Sequence, residues 1–61
     1  MMSTKQFSVL IVDNEPLFRE MLRVSLRSSG FTVTGARGAE EALEVIKEQT
    51  IDLALLGASV S

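Results

Sequence analysis

The sequence predicts an α/β fold: three parallel strands in the order 2-1-3, joined as β-α-β-α-β, with one helix on each face of the sheet. Three observations predict it. Val9-Leu10-Ile11-Val12 is an unbroken apolar run with three β-branched members, which suits a strand covered on both faces; a half-exposed strand would alternate. Two stretches of helical periodicity follow, over residues 17–26 and 39–46. After each of them comes another strand-like run, at 31–36 and 51–56. The most apolar run takes the centre of the sheet, and right-handed crossovers then put the two helices on opposite faces.

Residues 1–6 are polar and read as a disordered N-terminal tail, leaving 7–61 as the folded unit. The first strand spans about 7–13 and stops at Asp13-Asn14-Glu15; Pro16 suits the first turn of a helix. That helix runs to about residue 29, with Leu17, Phe18, Met21, Leu22, Val24 and Leu26 as an apolar face expected in the core. Arg27 lies near its negative end and Gly30 is placed to take a left-handed stop. Phe31-Thr32-Val33-Thr34-Gly35-Ala36 alternates, as a half-exposed edge strand does. The second helix covers about 39–49, with Ala39, Ala42, Leu43 and Ile46 at i, i+3, i+4 and i+7. Glu40 and Glu41 favour its start and Lys47 its last turns. The third strand, 51–56, is again nearly all apolar, and Asp52 belongs to the turn entering it.

With this strand order the crossovers leave the first strand in opposite directions. The switch point lies between the carboxyl ends of strands one and three, where open α/β sheets bind their ligands. Asp13 and Asn14 are expected to face Gly57 across that crevice. Asp13 reads either as a helix-capping residue at a strand end or as a metal ligand, Asn14 as an N-cap or turn former, and Glu15 as a surface acid at the helix's positive end.

Composition narrows the function. The chain has 61 residues, no Cys and no His, so neither a disulfide framework nor a thiolate or imidazole metal centre is expected. A net charge of −2 gives no electrostatic reason for nucleic-acid binding. The longest apolar run near the start is too short for a signal-peptide core or a membrane span. These features fit a cytoplasmic protein with no membrane contact. At this length folding buries only about 60% of the unfolded surface, so a partner surface would help stabilise the fold. An apolar content of 46% and a mean hydropathy of +0.27 point the same way. No paired base, nucleophile and oxyanion constellation supports an enzyme built on Asp13 and Glu15.

Val-Leu-Ile-Val-Asp-Asn-Glu-Pro resembles the opening strand and acidic pair of the receiver domain of two-component response regulators. Gly-Ala-Glu-Glu-Ala-Leu-Glu is similar to that family's second helix, and Asp-Leu-Ala-Leu-Leu-Gly to its third strand. The resemblance covers residues 7–61 and implies the first half of a flavodoxin-like receiver fold. Three departures bear on function. Where the family places its phosphoacceptor aspartate, this chain has Gly57, which has no carboxylate to form an acyl phosphate. The acidic pair is reduced to Asp13 and Asn14, so even with a main-chain carbonyl near Ser59 only weak Mg2+ binding is implied. The family's later hydroxyl residue and lysine would lie beyond Ser61.

These readings lead to an expected function: a truncated, phosphorylation-incompetent pseudo-receiver acting as an interaction or self-association module in signalling. The alternative is that the chain is one segment of a larger phosphoacceptor regulator in a phosphorelay. Half of the fold leaves strand three at an edge, with Leu53, Leu55 and Leu56 short of cover. A homodimer through strand three is therefore expected, antiparallel about a two-fold axis, in the order 2-1-3-3′-1′-2′; a histidine kinase or another receiver is the further candidate partner. Arg19, Arg23 and Arg27 on one helix and Glu40, Glu44 and Glu48 on the other read either as solvated faces or as complementary docking stripes.

Overall fold

A computed structural model of the chain describes residues 6–57. The tail expected over 1–6, apart from Gln6, and the carbonyl near Ser59 lie outside the described residues. The elements are β1 (Ser8–Val12), α1 (Pro16–Ser28), β2 (Thr32–Ala36), α2 (Ala39–Glu48) and β3 (Leu53–Leu56). All three strands are parallel, in the order β2-β1-β3. Fold class and strand order are those read from the sequence. Each strand starts one or two residues later than expected, and β1 also stops one residue earlier, at Val12; β2 and β3 end where expected.

Local chemistry explains the element ends. Pro16 opens α1, where its missing N–H costs nothing. At the other end Gly30 has φ 98°, a conformation that L side chains resist. Its N–H reaches the carbonyl of Arg27, and the N–H of Phe31 returns to Leu26, which closes the helix. The rings of Phe7 and Phe31 meet edge to face with centroids 5.9 Å apart, just outside the amino ends of β1 and β2. Asp52 joins the third strand to the first, since the Ser8 N–H donates to its carboxylate at 2.8 Å.

β1 is the core. Val9, Leu10, Ile11 and Val12 are all buried, with β2 on one side and β3 on the other. Leu10 and Val12 pack with Ala36 and with Ala42 of α2, and Val45 and Ile51 close the edge of that cluster. Val9 and Ile11 point to the opposite face, the one carrying α1. Both helices sit over β1 and β2, and neither touches β3.

That placement corrects the expectation for α1. None of its residues is buried, and Leu17, Phe18, Met21 and Val24 are exposed. Only Leu22 and Leu26, with part of Arg19 and Arg23, turn toward the sheet. A helix lying over two strands buries one narrow stripe. The wider apolar face read from the sequence needs a neighbour that the described residues do not supply.

Candidate functional site

The carboxyl ends of β1 and β3 bring Asp13 and Gly57 together. Parallel pairing sets Val12 against Leu56, so the next residue of each strand falls at the same level. The N–H of Gly57 donates to the carbonyl of Val12 at 2.8 Å and fixes the approach. Asp13 is pinned on its other side, its N–H donating to Ala36 at 3.0 Å. It is the buried charged residue among the described ones, 4% exposed. Its Oδ1 accepts the Glu15 N–H at 2.8 Å, so the carboxylate holds the turn entering α1.

Asn14 does not have the expected capping place. The residue at the N-cap of α1 is Glu15, in extended conformation and with no side-chain cap, while Asn14 is exposed one position earlier. The side-chain oxygen that serves the start of α1 comes from Asp13 instead, because the strand end aims it inward.

A second residue of the crevice is missed by sequence reasoning. Arg19 was legible only as part of a basic stripe, yet its Nη1 donates to the carbonyl of Asp13 at 2.6 Å. It reaches there by crossing β2 at Gly35, where an added Cβ would stand 3.2 Å from its Cδ. The available signal was Gly35 itself, a glycine inside an alternating strand, which marks a close approach. In the rest of the stripe, Arg23 forms a local pair. Arg23 bonds Glu20 and holds its carboxyl below the usual range, first through that hydrogen bond. On α2, Glu41 accepts from the Arg37 N–H at 2.7 Å, and that bond leads in lowering its pKa. Lys47 lies 3.9 Å from Glu44.

A divalent cation needs several oxygen ligands converging on one point. Asp13 offers one carboxylate, already engaged through Oδ1, while Asn14 is exposed and Gly57 contributes no side chain. Among the described residues no group of three or more acidic, His or Cys side chains is placed to hold a metal. The described donors by themselves fall short of the octahedral oxygen set a magnesium centre uses.

The family model of the response regulator receiver domain matches residues 9–60. The chain belongs to that family. It is 36% identical over 55 residues to the DNA-binding response regulator MtrA of Mycolicibacterium smegmatis, covering 90% of this chain and 24% of that protein. It is 38% identical over 52 residues to a "Probable transcriptional regulator ycf27" of Cyanidium caldarium, covering 85% of this chain and 21% of that protein. The chain thus spans about a quarter or less of the length of the curated relatives it matches. No solved structure matches it. As a receiver domain it belongs to two-component signalling, and among the described residues no helix is long and apolar enough to cross a membrane.

β3 is the other feature the receiver frame brings into relief. Leu53 and Leu55 pair with Val9 and Ile11 and so share the face of α1; Ala54 and Leu56 share the face of α2. Leu53 and Leu56 are exposed, at 46% and 71%, and Leu55 is half-buried. Beyond β3 the sheet has no further strand among the described residues.

Proposed function

We propose that this chain is a pseudo-receiver: a receiver framework that accepts no phosphoryl group at the family's usual position and works as an interaction module. The observation that carries the reading is Gly57. It stands at the carboxyl end of β3 beside Asp13, where a nucleophilic carboxylate would have to be, and it has no side chain. Magnesium association at Asp13 is weak in this reading, and no catalytic activity is assigned.

The contact surface in this reading is the edge of β3, beyond which no strand lies among the described residues; Leu53, Leu55 and Leu56 supply apolar area on both faces beside it. A second copy fits this edge economically. Two-fold symmetry makes the new pair antiparallel and gives a six-stranded sheet in which β3 is no longer at an edge. The other partners this surface suits are a histidine kinase or another receiver. The name of the mycobacterial relative includes DNA binding, but the matched segment is a quarter of that protein, and a net charge of −2 favours protein contacts here. The proposed location is the cytoplasm.

Two measurements test the reading. Sedimentation across a dilution series should show a dimer whose helical and strand signal falls as it dissociates. A compact, folded monomer at micromolar concentration would end the dimer. Incubation with magnesium and acetyl phosphate, read by intact mass, should leave the mass unchanged; a stable phosphoryl adduct would return the chain to the phosphoacceptors.

A further inference from the structure

We infer that Arg19 is the positioning residue of the crevice. From near the start of α1 its guanidinium holds the peptide that follows Asp13, and so fixes where the Asp13 carboxylate stands. The inference goes beyond the pseudo-receiver reading and does not rest on it, because the strap acts on the end of β1 whatever position 57 carries.

Asp13 is tied through its main chain and its side chain. Its N–H donates to the carbonyl of Ala36 at 3.0 Å, which anchors it to β2. Its Oδ1 accepts the Glu15 N–H at 2.8 Å, which closes the turn. Its carbonyl accepts from Nη1 of Arg19 at 2.6 Å, and this bond acts where the chain leaves the sheet. Asn14, Glu15 and Pro16 are exposed, so packing does little to hold that turn. A bond donated by a guanidinium is charge-assisted and stronger than a neutral one. Without it the carbonyl must find another partner, and the peptide can rotate and carry the carboxylate with it.

The route of the side chain is as particular as its end point. Position 35 of β2 pairs with Ile11 and lies on the face that carries α1. It is glycine, and the stem of Arg19 runs close over it, with Cδ 3.2 Å from where a Cβ would stand. Bare backbone there leaves the stem a path from α1 across β2 to the end of β1. The other cations of the stripe take no part: Arg23 bonds Glu20 on its own helix, and Arg27 is exposed. One arginine of three thus joins β1, β2 and α1 at the carboxyl end of the sheet.

Amide exchange and carbonyl chemical shifts, read by NMR on the full chain at one protein concentration, test the inference. Arg19→Met keeps an unbranched stem over Gly35 and removes the donors. Exchange at the Glu15 N–H should quicken about tenfold or more relative to Leu10 and Ile11 in β1, and the Asp13 carbonyl resonance should move. Arg19→Lys keeps one donating head group and should recover part of both effects. Arg23→Met should leave both alone. A purely structural role would quicken Glu15, Leu10 and Ile11 by one factor, and that result overturns the inference. So does a Glu15 amide or an Asp13 carbonyl that stays unmoved, a lysine no better than methionine, or an Arg23→Met chain changed as much as Arg19→Met. Should Arg19→Met not fold, Arg19→Lys decides alone: selective loosening at Glu15 supports the strap, and uniform loosening or none overturns it. A phosphoryl adduct on the unaltered chain would sink the pseudo-receiver reading and leave this one standing, so the two can fail separately.

Discussion

β1 and β3 are nearly the same kind of sequence and meet opposite fates. Val9-Leu10-Ile11-Val12 is 2% exposed or less at every position, whereas Leu53 and Leu56 remain 46% and 71% exposed. Composition does not separate them. β1 has a strand on each side and a helix over each face; among the described residues β3 has one neighbouring strand and no helix packed on it. An apolar run therefore reports what a strand needs, and the topology decides whether the need is met. Where it is not met, the run becomes a surface that another chain or segment can use.

The comparison is broken most forcefully at its buried end. Leu10 is fully buried, and Leu10→Ala should cost about 2–5 kcal/mol through lost transfer energy and the cavity left behind. In a small domain that is enough to abolish the urea transition and flatten the circular dichroism signal. The matching change at the edge, Leu56→Ala, should move the stability of an isolated copy by no more than about 0.5 kcal/mol. Equal losses at the two positions would mean that β3 is already covered.

A double change at the edge sharpens the same contrast. Leu53→Lys with Leu56→Lys places like charges where two copies of β3 would meet, a device that blunts edge pairing. Self-association should weaken at least about tenfold, ~1.4 kcal/mol, by sedimentation. Persistence of the dimer at unchanged affinity would move the interface elsewhere, with the exposed face of α1 as the next place to look.

How much of this was legible follows the same division. Strand order, parallel pairing and the meeting of Asp13 with Gly57 were readable, because hydrophobic period and crossover handedness depend on local sequence and chirality. The exposure of Leu17, Met21 and Val24 was not, since a helical stripe says nothing of how many neighbours surround it. Asn14 looked like the cap because Asn is a good capping residue, yet capping is settled by which side chain the strand end points inward. Arg19 was hidden for a related reason: its stripe read as a solvated face or a docking stripe, and its path to the Asp13 carbonyl runs close over the bare backbone at Gly35.

Gly30 offers a smaller effect, independent of both strands. An added Cβ there meets nothing within 4 Å, so packing raises no objection to Gly30→Ala. The φ of 98° does. The substitution should cost ~1 kcal/mol in urea unfolding, the range expected for holding an L residue in a left-handed conformation. A stabilising result would show that the end of α1 relaxes to another turn. Because Gly30 lies far from β3, self-association corrected for stability should be unaltered, which makes this variant a control for the edge substitutions.

The smallest effect is the pH response of the helix surfaces. Hydrogen bonds from Arg23 to Glu20 and from the Arg37 N–H to Glu41 lower both carboxyl groups below their ordinary 4.5. A group with a depressed folded pKa binds fewer protons folded than unfolded, so stability in that window rises with pH. The contribution is complete above about 4.5 and is lost as pH falls through the lower folded values. Both groups are solvent-exposed, so the slope should be shallow and should shrink further in salt. Glu41→Gln ought to flatten its part of the slope and loosen the first turn of α2, visible as faster amide exchange at Arg37. Leaving that exchange rate unchanged would mean that the Arg37 N–H does not depend on Glu41.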